Sequence, residues 1–230
     1  MSKLNKSILI VVLVLLVDQI LKIWIKTNMT LGEEFPVIGH WFIIHFVENN
    51  GMAFGFEFGG EYGKIFLSLF RVVAVFGIGW YILKLVKKDI PMGFIVCVSL
   101  IFAGAVGNII DSAFYGLIFN DSYGHVSTLF PAGGGYASFL HGRVVDMFYF
   151  PLFSGVYPSW VPFAGGSDFQ FFRPVFNVAD SSISLGIFSI ILFYRRQFNK
   201  LDLHEKAPDS DEINTEEMKT TVQENDYNLN

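Results

Sequence analysis

The chain has 230 residues, 52% of them hydrophobic and 26 of them Phe, with a mean hydropathy of +0.46. That composition excludes an ordinary soluble domain. The net charge of −5 is unevenly spread, because nine acids and two bases lie after Leu201. No basic, aromatic-interleaved patch suggests nucleic acid.

Ile8 to Val17 is unbroken apolar sequence behind Lys3 and Lys6. No small-x-small cleavage site follows it, so it predicts a retained spanning helix over about 7–26 rather than a removed signal peptide. Residues 65–86 are the second candidate span, blemished by Arg71, and 90–110 the third, free of charge until Asp111. The single cysteine, Cys97, lies inside that third apolar run and cannot form an internal disulfide. Residues 178–194 are the fourth span. Between the first two, Trp41–Val47 is a strand-like apolar run, and Asn49-Asn50-Gly51 is a turn signal. Met147–Phe163 is apolar enough to span, but Pro151, Pro158 and Pro162 break it. Its Tyr and Trp suit an interfacial segment on the outer leaflet.

The fold class expected is a mainly α membrane protein with four transmembrane helices, in a membrane domain over 1–200. Residues 201–230 read as a disordered acidic tail. Lys3, Lys6, Lys84, Lys87, Lys88, Arg195, Arg196 and Lys200 all fall on one side of such a bundle, whereas Thr27–Gly63 has five Glu and no Lys or Arg. The positive-inside rule therefore puts both termini in the cytoplasm and the long connections, 27–64 and 112–177, outside.

Four aspartates sit at or near the outer ends of the spans. Asp18 and Lys22 are spaced i, i+4 and can neutralise each other. Asn108 and Asp111 lie one turn apart, behind small residues that suit close helix packing. Asp146 lies in a β-branched pattern, Gly142–Phe148, that projects it from an apolar wall. Arg143 is an odd number of positions away, so a strand would put it on the opposite face. Asn177 is a good N-cap for the last helix, and Asp180 follows three residues later, at the positive end of the helix dipole. A capping box without chemistry would have the same spacing. Zinc and serine-nucleophile motifs are absent, and His125 and His141 lack ligand spacing. What remains is paired aspartates, which can share one proton and activate a water. Asp146, buried beside aromatic residues, would be the protonated member.

Five motifs in order resemble the lipoprotein signal peptidase family, bacterial signal peptidase II. They are Asp18-Gln19-x-x-Lys22, Asn49–Gly55, Gly104–Asp111, Val144–Asp146 and Phe176–Asp180. The resemblance implies an aspartyl intramembrane endopeptidase of the bacterial inner membrane with its site near the outer face. It would need no metal or other cofactor. Its substrates would be prolipoproteins, cut on the N-terminal side of a diacylglyceryl-cysteine while membrane lipid holds the acyl chains. The resemblance maps the catalytic pair onto Asp146 and Asp180 and the supporting residues onto Asp18, Lys22, Asn49, Asn108, Asp111 and Asn177. It also implies a small extracytoplasmic β-rich cradle.

Two departures stand out. The family commonly has Arg after the third-motif Asp, where this chain has Ser112, and the connections Leu117–Leu140 and Pro151–Arg173 are long. Arg71 or Arg143 is expected to supply the missing charge, with Arg71 paired to Asp111 or substrate unless it snorkels to the interface. Rival readings are a small transporter or ion relay using the intramembrane aspartates, and a non-enzymatic assembly factor. Neither requires Asp146, which lies outside every span.

Overall fold

The computed structural model describes residues 1–50, 60–195 and 197. The turn at Gly51, the rest of the second motif, Arg196, Lys200 and the tail 201–230 lie outside the described residues. Two compact units result, Met1–Phe188 and the part from Ser189 onward, of which only the end of the last helix is described.

Helix α1 runs over Lys3–Asn28, with Ser2 as its N-cap accepting from the Asn5 N–H. Its polarity is inverted relative to a soluble helix. Ile8, Val12, Leu16 and Ile20 face outward, while Ser7, Asp18, Lys22 and Lys26 are buried. An apolar exterior around a paired polar interior is stable only where the surroundings are hydrocarbon. Helix α2 (Gly60–Leu85) repeats the pattern with Phe70, Val73, Phe76 and Trp80 exposed.

Helix α3 (Met92–Ile110) starts after Pro91, whose ring cannot continue a helix backwards. The chain does not stop at Asp111 as the sequence suggested. It widens into a π turn, Asp111–Tyr115, and closes with a short α4, Gly116–Ile118. The following loop bonds these turns: Gly142 N–H donates to Ser112 O at 2.8 Å and Ala137 N–H to Gly116 O at 2.9 Å. Helix α5 (Val178–Phe193) is the last. Among the described residues three helices, Lys3–Asn28, Ser68–Leu85 and Met92–Ile118, are long and apolar enough to cross a membrane, and Val178–Phe193 is a shorter apolar helix.

α1 and α2 both pack on α3. Ser7 Oγ meets Ser99 Oγ at 2.6 Å across the α1–α3 contact, and Ser182 Oγ donates to Leu100 O at 3.1 Å across α3–α5. Glycine is required where the helices close on the site. A Cβ at Gly104 would lie 2.6 Å from Ser182 Oγ, and one at Gly107 would lie 2.9 Å from Asp18 Oδ2.

Between the helices lies an antiparallel sheet of order β1-β2-β3-β6, from β1 (Glu34–Ile38), β2 (Phe42–Asn49), β3 (Val144–Tyr149) and β6 (Val175–Phe176). The expected strand run at Trp41–Val47 is thus one arm of a hairpin whose turn includes Gly39 at φ 53°. Val47 faces Asp146 and Glu48 faces Val145 in the β2–β3 register. Ile25, Met29, Phe46, Tyr115, Phe119, Val145 and Met147 form the core beneath the sheet. The segment read as interfacial is divided: Met147–Tyr149 belongs to β3, and Phe153–Val156 (β4) pairs with Asp168–Phe171 (β5) as a separate hairpin. That hairpin and its loop expose Phe153, Val156, Trp160 and Phe171.

Candidate active site

Asp146 sits in β3, and Asp180 lies in the first turn of α5. The capping box forms as the spacing predicts: Asp180 N–H donates to Asn177 Oδ1 at 2.8 Å, and Asn177 N–H donates to Asp180 Oδ2 at 3.4 Å. The same Asn177 side chain reaches beyond its helix. Its Nδ2 donates to Asp146 Oδ1 at 2.7 Å, to Asn108 Oδ1 at 3.2 Å and to Val145 O at 3.3 Å. Asn108 Nδ2 in turn donates to Asp180 Oδ1 at 2.8 Å. Asn49 Nδ2 donates to the other Asp146 oxygen. The cap therefore also joins the two carboxyl groups, through Asn177 and Asn108.

Asp146 is 4% exposed. Burial, reinforced by the negative charge of Asp180, pushes its carboxyl up to about 8, against the smaller opposing effects of Lys22, Asn177 and Asn49. The shift favours the neutral form of this carboxyl near neutral pH, the state that one member of a shared-proton dyad requires.

Beneath the pair lies a buried ionic triad. Lys22 Nζ is 2.9 Å from Asp18 Oδ2 and 2.8 Å from Asp111 Oδ2, and it donates to Asn108 Oδ1 at 3.0 Å. Each carboxylate also accepts a backbone N–H. Asp18 Oδ1 takes Ala179 N–H at 2.9 Å, and Asp111 Oδ2 takes Val145 N–H at 3.2 Å. Ala179 precedes Asp180 and Val145 precedes Asp146, so both aspartates of the pair hang from backbone that the triad holds.

Eight of the ten residues singled out from sequence therefore meet in one constellation: Asp18, Lys22, Asn49, Asn108, Asp111, Asp146, Asn177 and Asp180. The two arginines differ. Arg71, half-buried in α2, attracts the charge of Asp180. Arg143 is bound to Glu48, Nη1 to Oε2 at 3.1 Å. Tyr115 did not stand out in the sequence, and Gln19 entered only as part of the first family motif. Gln19 Nε2 donates to Asp18 Oδ2 and Asp111 Oδ1, both at 3.0 Å, and its Oε1 accepts from Tyr115 Oη at 3.1 Å. The sequence marked Gln19 as a polar member of the Asp18-Gln19-x-x-Lys22 motif without assigning it a role. Among the described residues no group of three or more His, Cys, Asp or Glu could hold a metal ion.

A membrane-embedded helical protein with two amide-bridged aspartates beside a small sheet is the architecture of an intramembrane aspartic peptidase. The sequence profile described as signal peptidase (SPase) II matches residues 10–196. A lipoprotein signal peptidase of Porphyromonas gingivalis is 55% identical over 193 residues, covering 84% of each chain. Those of Amoebophilus asiaticus and Staphylococcus aureus are 38% and 31% identical, covering 80% and 81% of this chain and 75% and 85% of theirs. Two solved bacterial membrane enzyme structures match with TM-scores of 0.56 and 0.53 at 27% and 29% identity. They cover 90% and 82% of this chain and 94% and 91% of the solved ones. The chain belongs to the signal peptidase II family, whose members are aspartic-type peptidases.

Proposed function

We propose that the protein removes signal peptides from prolipoproteins by cutting on the N-terminal side of the diacylglyceryl-cysteine, with Asp146 and Asp180 as the catalytic pair. The observation that carries this reading is the joining of the two carboxyl groups through Asn177 and Asn108; the burial of Asp146, which favours its neutral form, agrees with it. Asp180 takes a proton from a water, and the water oxygen attacks the scissile carbonyl carbon. The Asp146 carboxyl hydrogen-bonds the carbonyl oxygen and stabilises the negative charge that grows there. As the tetrahedral intermediate collapses, the C–N bond breaks and the cysteine nitrogen takes a proton from the pair. Asn49, Asn108 and Asn177 bond the carboxyl groups themselves, so their part is to orient the pair. Asp18, Lys22 and Asp111 hold the backbone on which it is mounted.

Arg71 is our choice for the positive charge that Ser112 lacks, supported by its attraction to Asp180. Arg143 is engaged elsewhere. The asymmetry of Lys and Arg supports cytoplasmic termini and a site near the outer face of the bacterial inner membrane. There the substrate's acyl chains remain in the bilayer and supply proximity. The exposed aromatic residues of the β4–β5 hairpin suit the same interface. The tail after Leu201 is taken as a cytoplasmic appendage without a part in cleavage.

Asp146→Asn and Asp180→Asn should each abolish cleavage of a lipid-modified prolipoprotein while leaving the protein folded, because an amide can neither take up nor return the proton. Near-wild-type turnover by either purified variant would refute the mechanism and favour a transporter or scaffold.

A further inference from the structure

The face of the sheet opposite Asp146 carries a second buried charge cluster. Successive residues of a strand point to opposite faces, so Asn49 shares the Asp146 face and Glu48 points away from it. The Glu48 side chain is 1% exposed. Its Oε1 is bonded by Lys26 Nζ, from the end of α1, and by Ser122 Oγ at 3.2 Å. Its Oε2 is bonded by Arg143 at 3.1 Å. Lys26 also donates to Ser122 Oγ at 3.0 Å and lies over the rings of Phe119 and Tyr136. Arg143 lies 5.0 Å from the Tyr136 ring, whose hydroxyl accepts the Arg143 backbone N–H at 2.7 Å. One carboxylate thus ties together α1, β2, the start of β3 and the long loop after α4.

Burying such charges is a poor way to gain stability, because desolvation offsets most of the attraction. The cluster has a positional task available. The β1–β2 register ends at His45, with backbone bonds from Phe46 to Gly32 and Glu33 just beyond it, and the β2–β3 register is irregular between Ile44 and Val47. Among the described strands, only β3 is in register with the end of β2, Val47–Asn49. Yet Asn49 must be placed closely enough to bond Asp146.

We propose that Glu48 is a positioning residue: clamped between Lys26 and Arg143, it fixes the end of β2 so that Asn49 holds the carboxyl group of Asp146. The proposal rests on the reading of Asp146 as a member of the catalytic pair. The groups facing Asp146 are Asp180 from α5, Lys22 from α1, and the amides of Asn49 and Asn177. Asp111 accepts the Val145 N–H one residue away, and Arg71 is attracted to the charge of Asp180. Of these, Lys22, the Asn177 bond and, after them, the Asn49 bond favour the ionised form. Loosening the Asn49 bond should raise the proton affinity of Asp146.

The test is full-length enzyme in lipid-detergent micelles, cleaving a diacylglyceryl-modified substrate across a pH series. Glu48→Gln should lower kcat about tenfold or more with KM within about twofold, and should move the alkaline limb of the profile to higher pH. A merely structural role would leave that limb in place. Because Glu48→Gln strands Lys26, the paired variant K26M/E48M removes both charges, with Arg143, 28% exposed, able to turn to water. It should fold and show the same loss and the same shift. A folded variant of either kind with wild-type kcat and limb would overturn the proposal. So would failure of both to fold, which would make the cluster a stability element. Asp146→Asn, run alongside, separates the outcomes. If it is inactive while Glu48→Gln behaves as wild type, only the clamp is refuted. If it is active, the catalytic reading itself falls.

Discussion

Asn177 does two things that substitution can separate. Its Oδ1 caps α5 through the Asp180 N–H at 2.8 Å, and its Nδ2 donates to Asp146 at 2.7 Å. Asn177→Ala removes both. Loss of the cap costs about 1 kcal/mol. Loss of a donor to a buried carboxyl group costs a further ~1–3 kcal/mol. The expected destabilisation is therefore about 2–4 kcal/mol by the same reckoning. Asn177→Ser keeps an oxygen that can cap but is too short to reach Asp146, so it should recover about 1 kcal/mol of that stability. Cleavage should not recover with it. A bond of ~1.5–3 kcal/mol to the carboxyl group corresponds to about 10–100-fold in rate, and both variants lose it. The assay is thermal unfolding in micelles beside initial rates on lipid-modified substrate. If Asn177→Ser restores both stability and rate, Asn177 is a helix cap only, and the amide bridge has no part in the chemistry.

Two further outcomes follow from the site. Lys22→Met strands Asp18 and Asp111, both fully buried, and should destabilise the protein by about 3–5 kcal/mol. Unfolding within about 1 kcal/mol of wild type would mean the triad carries little charge. Because Asp146 is pushed up to about 8, kcat/KM should fall as pH rises past that value, as the neutral carboxyl is lost. Stability follows the same group. The folded state binds the extra proton between the ordinary carboxylate range and about 8, so folding stability should decline as pH rises through that window. Asp146→Asn should remove that decline, and a variant that retains it would assign the titration elsewhere.

The sequence exposes local features of this site better than distant ones. Asp18 and Lys22 were legible as a pair because one helix turn fixes their distance. Asn177 and Asp180 were legible because a capping box has a fixed spacing. Lys26 continued the stripe of Asp18 and Lys22 at i+4, yet it read as the flank of a span, because its partner Glu48 lies across a hairpin. Glu48 itself read only as one of the outer acids. Arg143 was placed on the correct side of β3 by strand alternation, but nothing local showed its partner. The π turn at Asp111 was illegible for a different reason. Its carbonyls are bonded by the 137–142 loop, so the conformation is decided by residues more than twenty positions away. The prolines after β3 excluded a span but did not reveal the β4–β5 pairing, which depends on Phe153 meeting Phe171.

The triad also bears on why the interior of a membrane protein should hold two carboxylates and an ammonium group. An apolar trio would pack the α1–α3 contact without a desolvation cost. It could not, however, bond the N–H groups of Ala179 and Val145, which lie immediately before Asp180 and Asp146. A helix and a strand meet here, each ending in a backbone donor that hydrocarbon cannot satisfy. Asp18 and Asp111 satisfy those donors, and Lys22 bonds both carboxylates at 2.9 and 2.8 Å. The separation of the helix start from the strand is thereby fixed by one ammonium group. The proposed proton-sharing by Asp146 and Asp180 would need that separation held to a fraction of an ångström. Asn108 reports the same constraint from the other side, since its Oδ1 accepts from Lys22 and its Nδ2 donates to Asp180. The polar core is thus organised around the spacing of the aspartate pair, and hydrocarbon makes that spacing stiff because no water competes for its bonds.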